Sequence, residues 1–242
     1  MQRMAHPDGE TANVKAAEAE GVIYILSTIA TSSIEEVAEA APKAVKWFQL
    51  YIYNDRLANF DGFMSTKIHS TGEGSGLNNY VEALFDKSLT WDEIKWLKSI
   101  TKLPIVAKGV LRGDDAVKAV EVGCAGILVS NHGARQLDGV PSTIEALPEI
   151  VEAVKKYNIE VFMDGGVTTG TDVYKALALG AKMVFVGRPA LWGLTVGGQD
   201  GVQRMLSLFR NELEYTFQIA GTPSVADITK DMVRHESAYS RL

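Results

Sequence analysis

The sequence lacks the features that mark disulfide-rich, membrane-spanning and nucleic-acid-binding proteins. It has a single cysteine, Cys124, so no internal disulfide can form, which agrees with a reducing compartment. No apolar run approaches the roughly 20 residues of a membrane span, and residues 1–7 lack the apolar stretch of a signal peptide. There is no run rich in Lys or Arg, and the net charge is −6. We therefore expect neither a nucleic acid nor a membrane as a partner.

The sequence also offers no metal site. Its histidines lack the spacing with cysteine or carboxylate partners that metal ligands show: His6, His69, His132 and His235. Cys124 stands between a predicted helix and a predicted strand, where it is best interpreted as a packing residue.

The composition is that of an ordinary globular protein, with 46% hydrophobic and 22% charged residues. A length of 242 residues suits one large core or two small ones. A single barrel-type domain over residues 1–242 fits it naturally.

One pattern recurs three times along the chain. Residues 16–27, 119–130 and 176–187 each combine the tail of a helix, a glycine and a short apolar run. Gly21, Gly123 and Gly180 suit the left-handed conformation that closes a helix. The runs that follow are apolar on both faces, as buried parallel strands are. Repeated units of this kind predict a parallel α/β sheet with helical crossovers.

The same reasoning predicts six strands and the helices between them. The strands are Val22–Thr28, Lys46–Tyr53, Pro104–Val110, Gly126–Asn131, Val161–Val167 and Met183–Pro189. The helices are Ser33–Ala41, one opened by a Thr90/Glu93 capping box, Asp114–Val122, Thr143–Tyr157, Thr171–Leu179 and Val202–Ala220. Between Tyr53 and Pro104 no strand-like run occurs. The predicted fold is therefore an α/β barrel of the (β/α)8 type, incomplete, with six of its eight strands recognisable.

Residues 130–138 carry the strongest chemical signal. They place an imidazole, His132, and a guanidinium, Arg135, three positions apart just after the strand that ends near Val129. Removing hydrogen from the α-carbon of a hydroxy acid needs such a pair, namely a base for the hydroxyl proton and a fork for the carboxylate. A loop histidine beside a solvated arginine is the alternative for this motif alone.

Several segments together resemble one family. They are MQRMAHP (1–7), ATSSIEEVA (30–38), FQLYIY (48–53), PIVAKG (104–109), SNHGARQLDGVP (130–141), DGGV (164–167), KALALGAK (175–182) and VFVGRP (184–189). In this order they are similar to the FMN-dependent L-2-hydroxy-acid oxidases, most of all to the peroxisomal glycolate oxidases. The resemblance covers nearly the whole chain except about residues 54–75.

The resemblance implies a role for each matching residue. His132 would be the catalytic base, and Arg135 and Tyr51 would bind the substrate. FMN would be held by Ser27, Gln49, Lys108 and Ser130 around its ring, and by Asp164, Gly165, Gly166, Gly187 and Arg188 at its ribityl phosphate. The reaction implied is oxidation of a short (S)-2-hydroxy acid such as glycolate, with O2 reduced to hydrogen peroxide. A homo-oligomer is implied as well.

The chain also departs from the family pattern. The first and fourth barrel strands are not recognisable, and the fourth normally carries an aspartate that orients the catalytic histidine. Thr168 stands in place of a phosphate-binding arginine, and Ile29 in place of an aromatic residue near the substrate. These departures leave a second hypothesis, a catalytically impaired isoform that acts through subunit association. A third is a flavin-free barrel that binds a phosphorylated metabolite.

The last three residues, SerArgLeu (240–242), are a close variant of the peroxisomal SerLysLeu address. Because oxidases that produce peroxide belong in peroxisomes, the resemblance gives this tail weight, and we expect a peroxisomal location.

Overall fold

The computed structural model describes residues 1–51 and 88–239. The chain forms two compact units, one of Met1–Thr90 with Leu191–Gln203 and one of Trp91–Ala190 with Arg204–Leu242. Each is considered by itself below. The end of the second predicted strand (Ile52 and Tyr53), His69 and the SerArgLeu tail lie outside the described residues.

The first unit is built on two parallel strands flanked by helices. In chain order it contains α1 (Gly9–Glu20), β1 (Tyr24–Ser27), α2 (Ile34–Ala40) and β2 (Lys46–Gln49). Strands β1 and β2 pair in parallel, with Ser27 opposite Gln49 at their carboxyl ends. A small core between helices and strands contains Val14, Ala17, Tyr24, Leu26 and Val37.

The second unit is a four-stranded parallel sheet of β3 (Val106–Val110), β4 (Gly126–Val129), β5 (Glu160–Asp164) and β6 (Met183–Phe185). The strands lie side by side in chain order. Each crossover therefore leads from the carboxyl end of one strand to the amino end of its neighbour, so that all four strands end on the same side of the sheet. All four residues of β4 are buried. Because parallel strands end at one edge, this order brings the residues that follow β3, β4, β5 and β6 together.

Helices flank the sheet of the second unit. Three are its crossovers: α4 (Gly113–Glu121), α5 (Thr143–Val154, continued by a 3-10 turn over Lys155–Tyr157) and α6 (Gly170–Ala178). Helix α3 (Trp91–Ile100) precedes β3, and α7 (Arg188–Ala220) follows β6, with its residues Leu191–Gln203 belonging to the first unit. The core that they enclose with the sheet includes Ile127, Val129, Leu147, Ile150 and Met163. None of the described helices is long and apolar enough to cross a membrane.

The three glycine repeats close their helices in the same way. Gly21, Gly123 and Gly180 all have positive φ, at 66°, 92° and 103°. In each case the next residue donates its N–H to a carbonyl five positions back: Val22 to Ala17, Cys124 to Ala119 and Ala181 to Ala176. This 6→1 bond defines the Schellman motif, which turns the chain from the helix into the next strand. The prediction made from the glycine spacing is confirmed.

The six strands are present where they were predicted, but each is shorter than its apolar run. Strand β1 starts at Tyr24 because Val22 belongs to the helix closure, and β2 ends at Gln49 rather than continuing to Tyr53. Only the tail of α1, residues 16–20, was predicted; its beginning at Gly9 and the first turns of α7 were not. The sequence indicated a start at Val202 for α7, whereas the helix begins at Arg188 and is interrupted by non-helical Gly197 and Gly198.

Candidate active site

A cationic cluster lies at the carboxyl edge of the four-stranded sheet. The ammonium group of Lys108, on β3, donates a hydrogen bond of 3.1 Å to Oγ of Ser130, just after β4. It also lies 3.5 Å from Oδ2 of Asp164, the last residue of β5. Ser130 is fully buried. Three residues that the sequence assigned to flavin binding are therefore in contact, each contributed by a different strand.

Oδ1 of Asp164 is buried and accepts no hydrogen bond from the part of the chain that the structure describes. A buried carboxylate oxygen ordinarily has a donor, because desolvation without one is costly. A hydroxyl-bearing ligand would supply that donor, so this atom fits a ribityl chain better than it fits a solely structural role.

The loop after β4 is held in an unusual backbone conformation. His132, Gly133 and Ala134 have consecutive positive φ values of 56°, 65° and 62°. For His132 and Ala134 this left-handed conformation costs about 1–2 kcal/mol each. Side chains on both sides offset the cost: Ser130 Oγ accepts from the His132 N–H at 3.1 Å, and Asn131 Oδ1 accepts from the Ala134 N–H at 3.2 Å.

Two arginines close the same loop from its carbonyl side. Nε of Arg135 donates to the carbonyl of His132 at 3.1 Å, and an η nitrogen of Arg188 donates to the carbonyl of Gly133 at 3.0 Å. The predicted substrate arginine and the predicted phosphate arginine therefore both contact the loop that carries the predicted base. The η nitrogens of Arg135 make no hydrogen bond to the described part of the chain, which leaves that edge of the fork for a carboxylate.

The electrostatics of the cluster keep His132 neutral. Burial lowers the pKa of the His132 imidazole below its ordinary value, and the positive charges of Lys108 and Arg135 lower it further, whereas Asp164 acts in the opposite direction. An imidazole with a lowered pKa is unprotonated at neutral pH, which is the form that can accept a proton.

The glycine-rich turn after β5 has the open backbone that a phosphate group requires. Gly165 and Gly166 have φ values of 89° and 76°. A Cβ added at Gly166 or at Gly187 would meet no atom within 4 Å, so a ligand could approach closely there. Gly187 directly precedes α7, and Arg188 begins it, so backbone N–H groups and a fixed charge occur together.

Asp172 uses part of this turn for itself. Its Oδ2 accepts hydrogen bonds of 3.0 Å from the N–H groups of Thr168 and Thr169. Burial opposes ionisation of Asp172, but these bonds outweigh it and the pKa of the carboxyl is lowered. The turn therefore presents a carboxylate beside Thr168, the position where the family resemblance led us to expect an arginine.

The first unit, taken by itself, contains a second group of predicted site residues. Oγ of Ser27 donates to Oε1 of Gln49 at 3.0 Å. The hydroxyl of Thr28 donates to the Gln49 carbonyl at 2.6 Å and accepts from the Tyr51 N–H at 3.0 Å. Ser27, Gln49 and Tyr51 thus lie together at the ends of β1 and β2. Because β2 stops at Gln49, Tyr51 lies beyond the strand, and its backbone is held by Thr28 instead.

Sequence reasoning missed several residues that support the site. Thr28 tethers Tyr51, and Thr143 donates to the carbonyl of Gly165 at 3.0 Å. Asn131 was present in the quoted motif, but no role was assigned to it. Glu10, which is buried in α1, was missed entirely. A polar residue that acts through a backbone N–H leaves no periodic signal, so only the fold shows these roles. Among the described residues no cluster of metal-binding side chains occurs.

The sequence profile of the FMN-dependent dehydrogenases matches residues 1–65 and 63–235. The chain belongs to this family. It is 48% identical to human 2-hydroxyacid oxidase 1, over 97% of this chain and 76% of that protein. It is 43% identical to a protein of Arabidopsis thaliana named as a peroxisomal (S)-2-hydroxyacid oxidase, over 98% of this chain and 76% of that one.

Solved structures agree with these relatives. The crystal structure of a mandelate oxidase with (S)-4-hydroxymandelic acid matches with a TM-score of 0.87 and 35% identity, covering 95% of this chain and 76% of that one. The predicted class, an incomplete barrel of the (β/α)8 type, is confirmed, and so is the predicted cofactor, FMN. The alignment with the human protein runs over 283 positions, more than the 242 residues available here, so that relative carries residues within the aligned region that this chain lacks.

Proposed function

We propose that this chain oxidises a short (S)-2-hydroxy acid such as glycolate to the 2-oxo acid, with O2 as the final acceptor of the two electrons and hydrogen peroxide as the second product. One observation carries the proposal: a neutral, partly buried imidazole, His132, lies in a loop fastened by Arg135 and Arg188 and influenced by the Lys108 charge. This combination suits removal of a hydroxyl proton beside a bound carboxylate.

In the proposed reaction His132 accepts the proton of the substrate hydroxyl. Arg135 binds the carboxylate through its η nitrogens while its Nε stays on the loop carbonyl, so that binding and base are fixed to one another. Tyr51 donates a hydrogen bond to the substrate. When bound, FMN would supply the acceptor for the α-hydrogen, which leaves the α-carbon with the two electrons of its bond; O2 would then take those two electrons and the two protons released from the substrate, giving hydrogen peroxide.

The predicted FMN-binding residues, considered within each unit, have the chemistry that the cofactor requires. Asp164 offers a buried oxygen without a partner among the described residues. Gly166 and Gly187 leave room for a close approach of the phosphate, Gly165 shapes the same turn with its positive φ, and Arg188 supplies a charge. Lys108 places a cation where negative charge on the ring would be stabilised. Ser130, which already accepts bonds from Lys108 and the His132 N–H, retains its hydroxyl proton for a third group. Ser27 and Gln49 would contact the ring.

The test is the visible spectrum of the purified chain after FMN is added and the excess removed, followed by anaerobic addition of glycolate. We expect a retained, protein-perturbed flavin spectrum that glycolate bleaches. The His132→Asn variant should keep the flavin and lose the bleaching, whereas His235→Asn, an exposed histidine, should change neither. Bound flavin that neither glycolate nor lactate bleaches would refute the proposed activity.

A second candidate function is a catalytically impaired form that acts through subunit association. The aligned region of the human relative, which contains residues absent from this chain, favours it. Normal turnover by the isolated chain would eliminate this candidate. A flavin-free protein that sediments with a full-length relative would support it.

We also propose a peroxisomal location, on the strength of the SerArgLeu tail and the peroxisomal relative. A fluorescent reporter that ends in residues 233–242 should co-localise with catalase. Its matched control ends in the same residues without the last one. A diffuse cytosolic signal from the complete reporter would rule the location out.

A further inference from the structure

Glu10 is the only charged residue that is fully buried in the described part of the chain, at 1% exposure. It lies in the first turn of α1. A carboxylate in such a place is costly unless hydrogen bonds replace its water. Its surroundings therefore show what the fold uses it for.

Five donors surround the Glu10 carboxylate. Oε1 accepts from the N–H groups of Gln2 and Thr31, each at 2.9 Å, and from the Met1 nitrogen at 3.1 Å. Oε2 accepts from the hydroxyl of Thr31 at 2.6 Å and from that of Ser32 at 3.4 Å. Burial opposes ionisation, but the bonds from Gln2 and Thr31 outweigh it and lower the pKa of Glu10 to about 2. The side chain is thus a fixed anion at any ordinary pH.

The backbone that Glu10 holds is the loop of residues 28–32, which joins β1 to α2. At the near end of the loop, the Ile29 N–H donates to Ser27 Oγ at 3.1 Å, and the Ser27 hydroxyl donates to Gln49. The loop therefore fixes the orientation of the Ser27 hydroxyl. The far end is fastened at Thr31 and Ser32 by the carboxylate. Hydrogen bonds through this loop therefore connect Glu10 to the side chains at the ends of β1 and β2.

We propose that Glu10 is a positioning residue for flavin binding, holding the loop so that Ser27 and Gln49 face the ring. This rests on the proposed function, which assigns those two residues to the ring. This role goes beyond filling space in the core. An apolar side chain could fill the same volume, but the carboxylate accepts the surrounding N–H groups and so fixes their orientation.

The test compares flavin binding by the full chain and three variants. Glu10→Ala leaves the N–H groups of Gln2 and Thr31 without their acceptor. Glu10→Gln keeps an acceptor for them, and its amide can donate to the hydroxyls of Thr31 and Ser32, which can reverse their own bonds. Glu18→Gln is the matched control, because Glu18 lies on the same helix and accepts a backbone N–H from Lys43, away from the loop.

Dissociation constants for FMN and riboflavin are measured by fluorescence quenching, together with the visible spectrum of the bound flavin. For Glu10→Ala we expect affinity to fall roughly 10- to 100-fold for both flavins, because a ring contact is lost rather than a phosphate contact. We also expect an altered spectrum. Glu10→Gln should restore most of the affinity, and Glu18→Gln should match the wild type.

A folded Glu10→Ala protein with wild-type affinity and spectrum would overturn the positioning role and leave a structural one. Weakening that affects FMN but not riboflavin would overturn it too. If Glu10→Ala does not fold, Thr31→Val decides, since it removes only the hydroxyl bonds of Thr31 and should alter the bound spectrum in the same direction. A wild-type chain that binds no flavin would instead defeat the proposed function, and the positioning role with it.

Discussion

Lys108 Nζ lies 3.5 Å from Asp164 Oδ2, so a lysine on β3 and an aspartate ending β5 form a partly buried ion pair beside the loop of His132. The two charges act on the imidazole in opposite directions, and the cation has the larger effect. This pair connects the fold to the proposed chemistry, because parallel strands in chain order bring it to the edge where the loop begins.

Lys108→Met should raise the pKa of His132 toward its ordinary value, because a cation that disfavours imidazolium is removed. In the wild type, flavin reduction by substrate should fail only as pH drops below about 6.5, the ordinary value. In the variant that acidic limb should move to higher pH. The measurement is the pH profile of anaerobic bleaching together with the imidazole resonances in NMR. Lys102→Met, an exposed lysine, is the control, and an unmoved limb in Lys108→Met would contradict the assignment.

Gly165→Ala and Gly166→Ala form a matched pair for the glycine turn. Both glycines have positive φ, so alanine at either costs about 1–2 kcal/mol of unfolding free energy. At Gly165 the new Cβ would also come within 2.9 Å of Asn131 Oδ1, whereas at Gly166 it meets nothing within 4 Å. We expect Gly165→Ala to lose about 1–3 kcal/mol more. Urea unfolding of the flavin-free proteins measures this difference in unfolding free energy. Equal losses for the two variants would show that the Asn131 side chain moves aside without cost.

The fold was predicted from the sequence wherever a side-chain pattern carries it. The Schellman closures at Gly21, Gly123 and Gly180 indicated β1, β4 and β6, and apolar runs alone indicated the other three strands. The first part of α1 was not predicted because the helix buries Glu10 and Asn13 together with its alanines, so its inward face is not apolar and shows no helical periodicity.

The candidate site was predicted as a set of residues but not as a conformation. Lys108, Ser130 and Asp164 meet because residues at the ends of parallel strands share one edge of the sheet, although the resemblance assigned Lys108 and Ser130 to the flavin ring and Asp164 to the phosphate. The left-handed backbone of His132 and Ala134 could not be predicted, since neither residue favours it and the bonds that impose it come from Ser130, Asn131 and the two arginines.

Acid should destabilise this chain through Glu10. Its pKa is about 2 in the folded state and 4.5 as a reference, so the unfolded chain binds more protons between these values. The stabilisation is fully present above about pH 4.5 and is lost as pH falls toward 2, on the order of 3 kcal/mol in total. Urea unfolding at several pH values measures this loss. Glu10→Gln should be less stable at pH 6 and lose less on acidification; parallel pH curves for the two proteins would argue against a carboxylate pKa this low.

Thr168→Arg should strengthen the grip on the phosphate of FMN. In the present chain Thr168 donates hydrogen bonds to the Asp172 carboxylate. Position 168 therefore contributes no positive charge to the turn. A charge-assisted bond from arginine should tighten FMN binding roughly tenfold and leave riboflavin, which has no phosphate, unchanged. Added salt should weaken the gain. Thr171→Arg adds the same charge on the exposed side of α6, where Thr171 contacts Thr216, and should give no such difference. Equal tightening for both flavins would mean that the turn after β5 contacts the ring rather than the phosphate, and the assignment of Gly165 and Gly166 would have to be exchanged with that of the residues around Lys108.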